Sequence, residues 1–410
     1  MSGLERQFPR PADIGRFVGP TFKRGTSDRL SRVRTSDDFR ALARRRTPRS
    51  VFDYVEGAAE LELSKEQAIE AFSRVVFHPH VLRDVSTVDA STTILGREAS
   101  IPVVFGPTGF TRMMHAAGES AVARAAGRAG IPYTLSTLGT TSVERLAKDA
   151  PETDRWFQLY VWRDRGRSSE LIARVAESGF RALVLTVDVP VAGARHRDTY
   201  NGLTIPPTLT KRTLLGMAGK PRWLFDALTT EPVSFASLGA AEDVMGLMNT
   251  VFDPAVTTAD IDWLRTQWDG PIVVKGVQRV DDAIEVVSAG ADAVAVSNHG
   301  GRQLDRAVAP LDLVVPVVDA VGASAEVYVD GGVRSGADVA AAVALGARAA
   351  FVARPYLYAL MAGGEAGVDQ LTSLLRDDYV RTLKLLGVTE TAQLDRELVS
   401  LAAEPVPVRS

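Results

Sequence analysis

The 410-residue chain contains no cysteine. That excludes disulfides, thiolate metal sites and thiol nucleophiles, and leaves the redox compartment open. No apolar run approaches the ~18 residues needed to span a bilayer. The N-terminus lacks an apolar h-region, and Arg45-Arg46 precede no hydrophobic segment. Neither a secretory nor a twin-arginine signal is therefore expected, and the protein reads as soluble or peripheral. Strong net charge is also missing: the formal value of −3 argues against a general nucleic-acid binder. It hides an asymmetry, because residues 1–50 carry 13 Lys+Arg against 5 Asp+Glu. Such a basic arm suits an anionic lipid surface or a neighbouring subunit, or is simply a solvated terminus.

What is present is ample apolar material, 46% of residues, enough for a large core. Eight short β-rich runs recur: IPVVFGPTG (101–109), IPYTLST (131–137), WFQLYV (156–161), ALVLTVD (182–188), PIVVKGV (271–277), AVAVSNH (293–299), EVYVDGG (326–332) and AAFVARP (349–355). Their continuous hydrophobicity suits strands buried on both faces of a parallel sheet. Helical patterns such as GESAVARAAGRAG, SSELIARVAESG and SGADVAAAVALGA lie between them and stop at glycine. All but one of the spacings fit a single βα unit, so the expected fold is α/β, a single (β/α)8 TIM barrel. The exception is a long insertion after strand four, residues 189–270. The expected division is a basic arm and first helix over 1–50, the barrel over 51–400 and a tail over 401–410. Residues 36–77 form an N-terminal helical segment, with SDDFRALARRR opening on a Ser-Asp-Asp cap.

Barrel chemistry sits at the C-terminal ends of the strands. Here those ends read Thr108, Ser136, Gln158 with Tyr160, Thr186 with Asp188, Lys275, Ser297 with His299, Asp330 with Arg334, and Arg354. Eight polar ends converging on one mouth point to an active site rather than a structural ring. DGGVRSG and ARPY, closing strands seven and eight, suit a phosphate held by glycine-permitted N–H groups, a helix N-terminus and the cations Arg334 and Arg354. His299, one of only five histidines, lies next to Gly300-Gly301-Arg302. A histidine base with Asp188 as its partner, and Arg302 or Arg195 as a bidentate clamp, fits chemistry on a substrate carboxylate. His78-Pro-His80 lies outside the ring with no third ligand nearby, so no metal site is expected.

SNHGGRQLD, DGGVRSG, WFQLYVWRDR, LTVDVPVAGARHRD, PTGF and FDYVEGAAE, in a chain resembling one family from about residue 30 to residue 390, are similar to motifs of the FMN-dependent L-2-hydroxy acid dehydrogenases and oxidases. RTPRSVFDY, VFHPHVLRDV, PTGFTRMMH, NTVFDP and YLYALMAGGEAGV resemble the bacterial, actinobacterial-type flavin L-lactate dehydrogenases within it. The resemblance implies FMN as cofactor and roles by matching motif. His299 would be the base, held by Asp188; Arg302, Tyr54 and Arg195 would bind the substrate carboxylate, and Tyr160 the hydroxyl. Lys275 would stand by flavin N1 and O2, where charge develops on reduction. Pro107, Thr108, Gly109, Ser136, Gln158, Thr186 and Ser297 would meet the isoalloxazine and ribityl chain. Asp330, Gly331, Gly332, Arg334, Ala353 and Arg354 would hold the ribityl and phosphate end.

The implied reaction is oxidation of an L-2-hydroxy acid, L-lactate first, with electrons passed to an acceptor other than oxygen such as a membrane quinone. An oxidase, a dehydrogenase of aromatic hydroxy acids and a flavin-binding protein without turnover are the alternatives. A homotetramer in the cytoplasm, peripheral on the inner membrane face, is the expected setting. Four positions depart from well-known members: Leu138 for a tryptophan, Val55 for a second tyrosine, Ala353 for glycine and Gly109 for the alanine common in oxidases. Within the insertion, residues 207–238 combine Lys211, Arg212, Lys220 and Arg222 with Leu214, Leu215, Met217, Trp223, Leu224 and Phe225. Cations beside apolar groups suit a bilayer interface, and a lid or subunit contact is the rival reading.

Overall fold

The computed structural model describes residues 29–202, 217, 219–231, 233, 235–237 and 252–404. Contacts divide the chain into a unit ending at Val33 and a second beginning at Arg34. Of the first, the described part is the 3-10 turn Arg29–Arg32. The second holds helix α1 (Ser36–Arg46) and the strands described below.

Eight strands form the centre: β1 Val103–Phe105, β2 Tyr133–Ser136, β3 Arg155–Leu159, β4 Ala182–Thr186, β5 Ile272–Val277, β6 Ala293–Ser297, β7 Glu326–Asp330 and β8 Ala349–Val352. They form a closed barrel in the order β7-β8-β1-β2-β3-β4-β5-β6, each pairing parallel with its neighbours. Every residue of β1, β2, β4, β5, β6 and β8 is buried. This is why the runs are continuous: a strand with the barrel core on one side and helices on the other has no wet face.

The barrel axis is filled near the strand starts by Trp156, Tyr328 and Phe351, whose ring centroids lie 5.8–6.3 Å apart. Ala182, Ala293 and Ala295 on other strands, and Ala349 on β8 itself, leave room for them. A hairpin, Thr92–Ile94 with Arg97–Ala99, covers this end and inserts Ile94 into the same cluster. Arg181 fastens it by donating to Leu95 O at 2.7 Å and pairing with Asp154. With the N-terminal end closed by packing, the open end of the barrel is the one where the strands terminate in polar groups.

The N-terminal helices α1, α2 (Arg49–Glu56) and α3 (Leu63–Ser73) follow from local signals. The cap of α1 is Thr35 rather than the expected Ser36: Thr35 Oγ1 accepts from Asp38 N at 3.2 Å and Asp38 answers to Thr35 N at 3.0 Å, a reciprocal capping box. Ser36 is buried and donates instead to Arg334 O. The expected insertion contains regular structure, because helix Ala259–Gln267 is the barrel's own helix between β4 and β5. Its other described helices are His196–Tyr200 and Pro221–Thr229.

Candidate active site

The polar strand ends surround a cavity of about 490 Å3. At its base Lys275, on β5, pairs with Asp330 Oδ2, on β7, at 2.6 Å, and donates to Ser297 Oγ, on β6, at 3.1 Å. Ser297 donates to Asp330 at 2.7 Å and accepts from His299 N at 2.9 Å. Burial works against the Lys275 ammonium, yet the carboxylates of Asp330 and Asp188 hold its pKa above the ordinary lysine range. Burial equally opposes the Asp330 carboxylate, and Lys275 keeps its pKa below the usual value. The site therefore holds a fixed cation at neutral pH.

His299 occupies a left-handed conformation (φ 56°), followed by Gly300 (φ 62°) and Gly301 (φ 75°). Such backbone in a bulky residue is strained and clusters at functional sites. It turns the chain so that His299 Nδ1 lies 2.9 Å from Asp188 Oδ1. Asp188 can sit there because β5 bulges at Gly276 (φ 110°); a Cβ on Gly276 would stand 2.6 Å from Asp188 Cγ. Arg302 donates to Tyr54 O at 2.7 Å and lies 4.9 Å over the Tyr54 ring, while Arg195 lies 5.6 Å from the same ring. Burial, and then Arg195, pulls the Arg302 pKa down to about 10, still charged at neutral pH. Burial pushes the Tyr160 phenol well above its ordinary range, so it remains a donor.

Two buried polar atoms bear on a cofactor. Gln158 Oε1 accepts from Ser136 Oγ and Thr137 N, but Gln158 Nε2 is buried without a partner, and so is Thr186 Oγ1. Both residues line the cavity. Unmet buried polar atoms are costly, and here they fit the heteroatom edge of a flavin beside the Lys275 cation. At the other end Gly331 (φ 121°) and Gly332 (φ 84°) lead to Arg334 and to helix Gly336–Ala344, capped by Ser335. This suits a phosphate.

Most of the expected site residues line the cavity: Tyr54, Pro107, Thr108, Gly109, Ser136, Gln158, Tyr160, Thr186, Arg195, Lys275, His299, Arg302, Asp330, Gly331, Gly332, Arg334, Ala353 and Arg354. Asp188 and Ser297 stand behind the wall, holding His299 and the Lys275–Asp330 pair. Thr108 Oγ1 is engaged by Tyr356 Oη at 2.7 Å. The Arg354 side chain differs from expectation: its guanidinium donates to the carbonyls of Val55, Gly57 and Gly300 at 2.8–2.9 Å. It braces α2 against the His299 turn from the start of its helix, Arg354–Leu386. Arg334 pairs with Asp37 of α1. Sequence reasoning missed Arg40, Glu56, Lys65 and Tyr358, which also line the cavity. They come from helices, and no strand-end signal marks them. Among them Arg40 and Lys65 surround Glu56; against the burial that opposes it, Arg40 holds the Glu56 carboxyl down to about 2.

A closed parallel barrel with a buried cation and a histidine–carboxylate pair on one cavity fits a flavin oxidoreductase. The family model for FMN-dependent dehydrogenases matches residues 43–401. The chain is 51% identical over 390 residues to a Mycobacterium tuberculosis protein named "Putative L-lactate dehydrogenase", covering 94% of each. It is 41% identical to an L-lactate dehydrogenase of Caulobacter vibrioides, covering 92% of this chain and 99% of that one. Among solved structures, a monotopic membrane protein, (S)-mandelate dehydrogenase, superposes with TM-score 0.87 at 35% identity, covering 90% of this chain and 100% of that one. The chain belongs to the FMN-dependent dehydrogenase family, and its cofactor is FMN. The purified protein is expected to be yellow and to release one FMN per chain on denaturation, measured by absorbance and mass spectrometry. FAD, or a colourless chain that FMN does not reconstitute, would contradict this.

Proposed function

We propose that this enzyme oxidises an L-2-hydroxy acid, L-lactate to pyruvate in the first instance, and passes the electrons to an acceptor other than oxygen. The observation that carries the reading is the pairing of His299 with Asp188 at 2.9 Å beside two arginines that flank Tyr54. Bound FMN supplies the two-electron acceptor. Arg302 and Arg195 hold the substrate carboxylate, and Tyr160 donates to its hydroxyl oxygen. Neutral His299 takes a proton at Nε2, because Nδ1 is turned to Asp188, whose carboxylate stabilises the resulting imidazolium. Lys275 offers a fixed positive charge where reduction places a negative one. The choice of lactate follows the curated relatives. A second reading, a larger aromatic 2-hydroxy acid, is favoured by the likeness to mandelate enzymes.

The setting is proposed to be a homotetramer in the cytoplasm, docked on the inner membrane face and reducing a membrane quinone. Among the described residues no helix is long and apolar enough to cross a membrane. The likeness to a monotopic protein supports peripheral attachment. Of the docking segment 207–238, Lys211, Arg212, Leu214 and Leu215 lie outside the described residues. Met217 is buried and so unavailable to lipid, and the half-buried Trp223 donates its indole N–H to Met113 O at 3.1 Å. The outward apolar side chains are Phe225 and Leu228, 66% and 72% exposed, on the same helix as Arg222. Their helix is held to the body through Trp223 and through Lys220 donating to Arg45 O.

Three outcomes follow from this reading. His299→Ala should keep FMN but lose anaerobic flavin bleaching by L-lactate by at least about 100-fold. Arg302→Lys should raise half-saturation and slow the reaction, since an ammonium lacks the bidentate fork. A panel of L- and D-2-hydroxy acids should bleach with the L-series alone; equal bleaching by both hands would overturn the arrangement.

Gly109→Ala should raise peroxide formation relative to dye reduction, read with an oxygen electrode. The new Cβ would stand 3.1 Å from Leu138 Cβ and 3.3 Å from Leu138 O, so that loop must yield slightly. An unchanged or lower ratio sinks this reading of Gly109. For the membrane, Phe225→Ser with Leu228→Ser should reduce co-sedimentation with anionic phospholipid vesicles and spare dye-linked oxidation. Wild-type protein that ignores such vesicles at low salt would make the segment a lid instead.

A further inference from the structure

The chain leaves β4 at Thr186, passes Asp188 and returns to the cavity at Arg195, so one short limb carries both the partner of His299 and the second carboxylate clamp. Little apolar packing holds it. Val189 is buried, but Val187 and Val191 are 36% and 66% exposed. A segment with so few buried contacts takes its order from polar bonds.

Three of those bonds come from one side chain. Gln303 Nε2 donates to Asp188 O at 3.1 Å and to Val191 O at 2.9 Å, using both of its N–H groups. Gln303 Oε1 accepts from Gly193 N at 3.2 Å. Gly193 brings the limb directly onto the next stretch of backbone: a Cβ there would lie 2.3 Å from Arg302 O and 2.9 Å from Gln303 Cα. Immediately beyond, Ala194 O accepts from Glu60 N at 2.8 Å, and Arg195 then reaches the Tyr54 ring that Arg302 also covers. Gln303 follows Arg302 in the chain and lies four residues after His299.

We propose that Gln303 is a positioning residue: its amide locks the 188–195 limb to the His299–Arg302 turn, so that Asp188 meets His299 and Arg195 meets Arg302 in one rigid arrangement. The inference rests on the reading of His299 and Asp188 as the base and its partner. A planar amide is needed because the limb presents two carbonyls and one N–H. Glutamate would turn a carboxylate toward two carbonyls, and methionine would keep the volume with no bonds.

The test uses holoenzyme and anaerobic stopped-flow reduction of FMN by L-lactate, or by whichever L-2-hydroxy acid reduces it fastest. Gln303→Met should lower the limiting reduction rate on the order of 10- to 100-fold, the range expected when reacting groups are misplaced by about an ångström. Half-saturation should rise as well, while FMN affinity stays at the wild-type value, because the cofactor contacts lie on other elements. Gln303→Glu should be no better than Gln303→Met. In an Asp188→Asn background, adding Gln303→Met should cost less than about threefold, since a residue acting through Asp188 has little left to lose. Fully additive losses, a near wild-type rate, or a rate loss matched by FMN release would each overturn the proposal. The underlying reading fails separately: if His299→Ala and Asp188→Asn reduce FMN normally, the base assignment falls, whereas a crippled Asp188→Asn beside an unimpaired Gln303→Met removes only the role of Gln303.

Discussion

A buried ammonium group stands at the centre of the barrel mouth, and the site is arranged around its neutralisation. Lys275 is 4% exposed, and a lone cation there would lose its proton or the fold. Asp330 answers it at 2.6 Å, and Ser297 receives one bond from Lys275 and returns one to Asp330. Asp330 and Ser297 end β7 and β6, and Lys275 lies two residues before the end of β5, so satisfying the charge also fixes the relative height of three neighbouring strands. Breaking such a pair from one side strands the other charge, at a cost of ~3–5 kcal/mol. The same Ser297 oxygen accepts from His299 N, which hands the constraint to the residue proposed as base.

From that point strain replaces packing as the organising feature. Strand β5 bulges immediately after Lys275, at Gly276, and the bulge opens the space that Asp188 fills from β4. Opposite it, the turn after β6 passes through three consecutive left-handed residues. Neither deformation is favourable locally. Each is held by neighbours that have no slack: Asn298 Oδ1 accepts from Gly301 N, and Arg354 ties Gly300 to α2. Arg354 thus acts as a brace of the proposed substrate side, though its place at the end of β8 suggested a phosphate ligand.

The eight strands were readable because two-sided burial leaves continuous apolar runs, and the site because strand ends of a barrel converge. What periodicity does not encode is where a long side chain goes after it leaves its strand. Ser297 was expected at the cavity surface and lies behind it; Arg354 turns to carbonyls contributed by residues 55, 57 and 300. Arg40 and Lys65 reach the cavity from α1 and α3, whose sequence shows only ordinary charged helix faces. The cap of α1 was misplaced by one residue, since Ser36 and Thr35 are equally plausible caps until Arg334 is known to claim Ser36.

The excursion after β4 joins features that chemistry would otherwise keep apart. It begins at Asp188, carries Arg195 to the Tyr54 ring, presents Phe225 and Leu228 outward, and comes back to the body where Phe235 packs on Phe110 at 4.6 Å. Phe110 in turn meets the edge of Tyr54 at 6.0 Å. The return of this excursion and the proposed substrate clamp are therefore connected through edge-to-face aromatic contacts. Connection alone transmits nothing: a surface bound at the outer face alters the clamp only if it favours one of two arrangements of this excursion. The geometry limits where those arrangements could differ. The Asp188–His299 contact and the Gln303 amide pin the limb at its root, Trp223 pins the helix to Met113 O, and Ala236 N bonds Gly139 O at 3.2 Å on the return. With the root and the return both fastened, a ligand at Phe225 and Leu228 either alters the clamp by releasing the Trp223 contact or leaves the clamp unchanged.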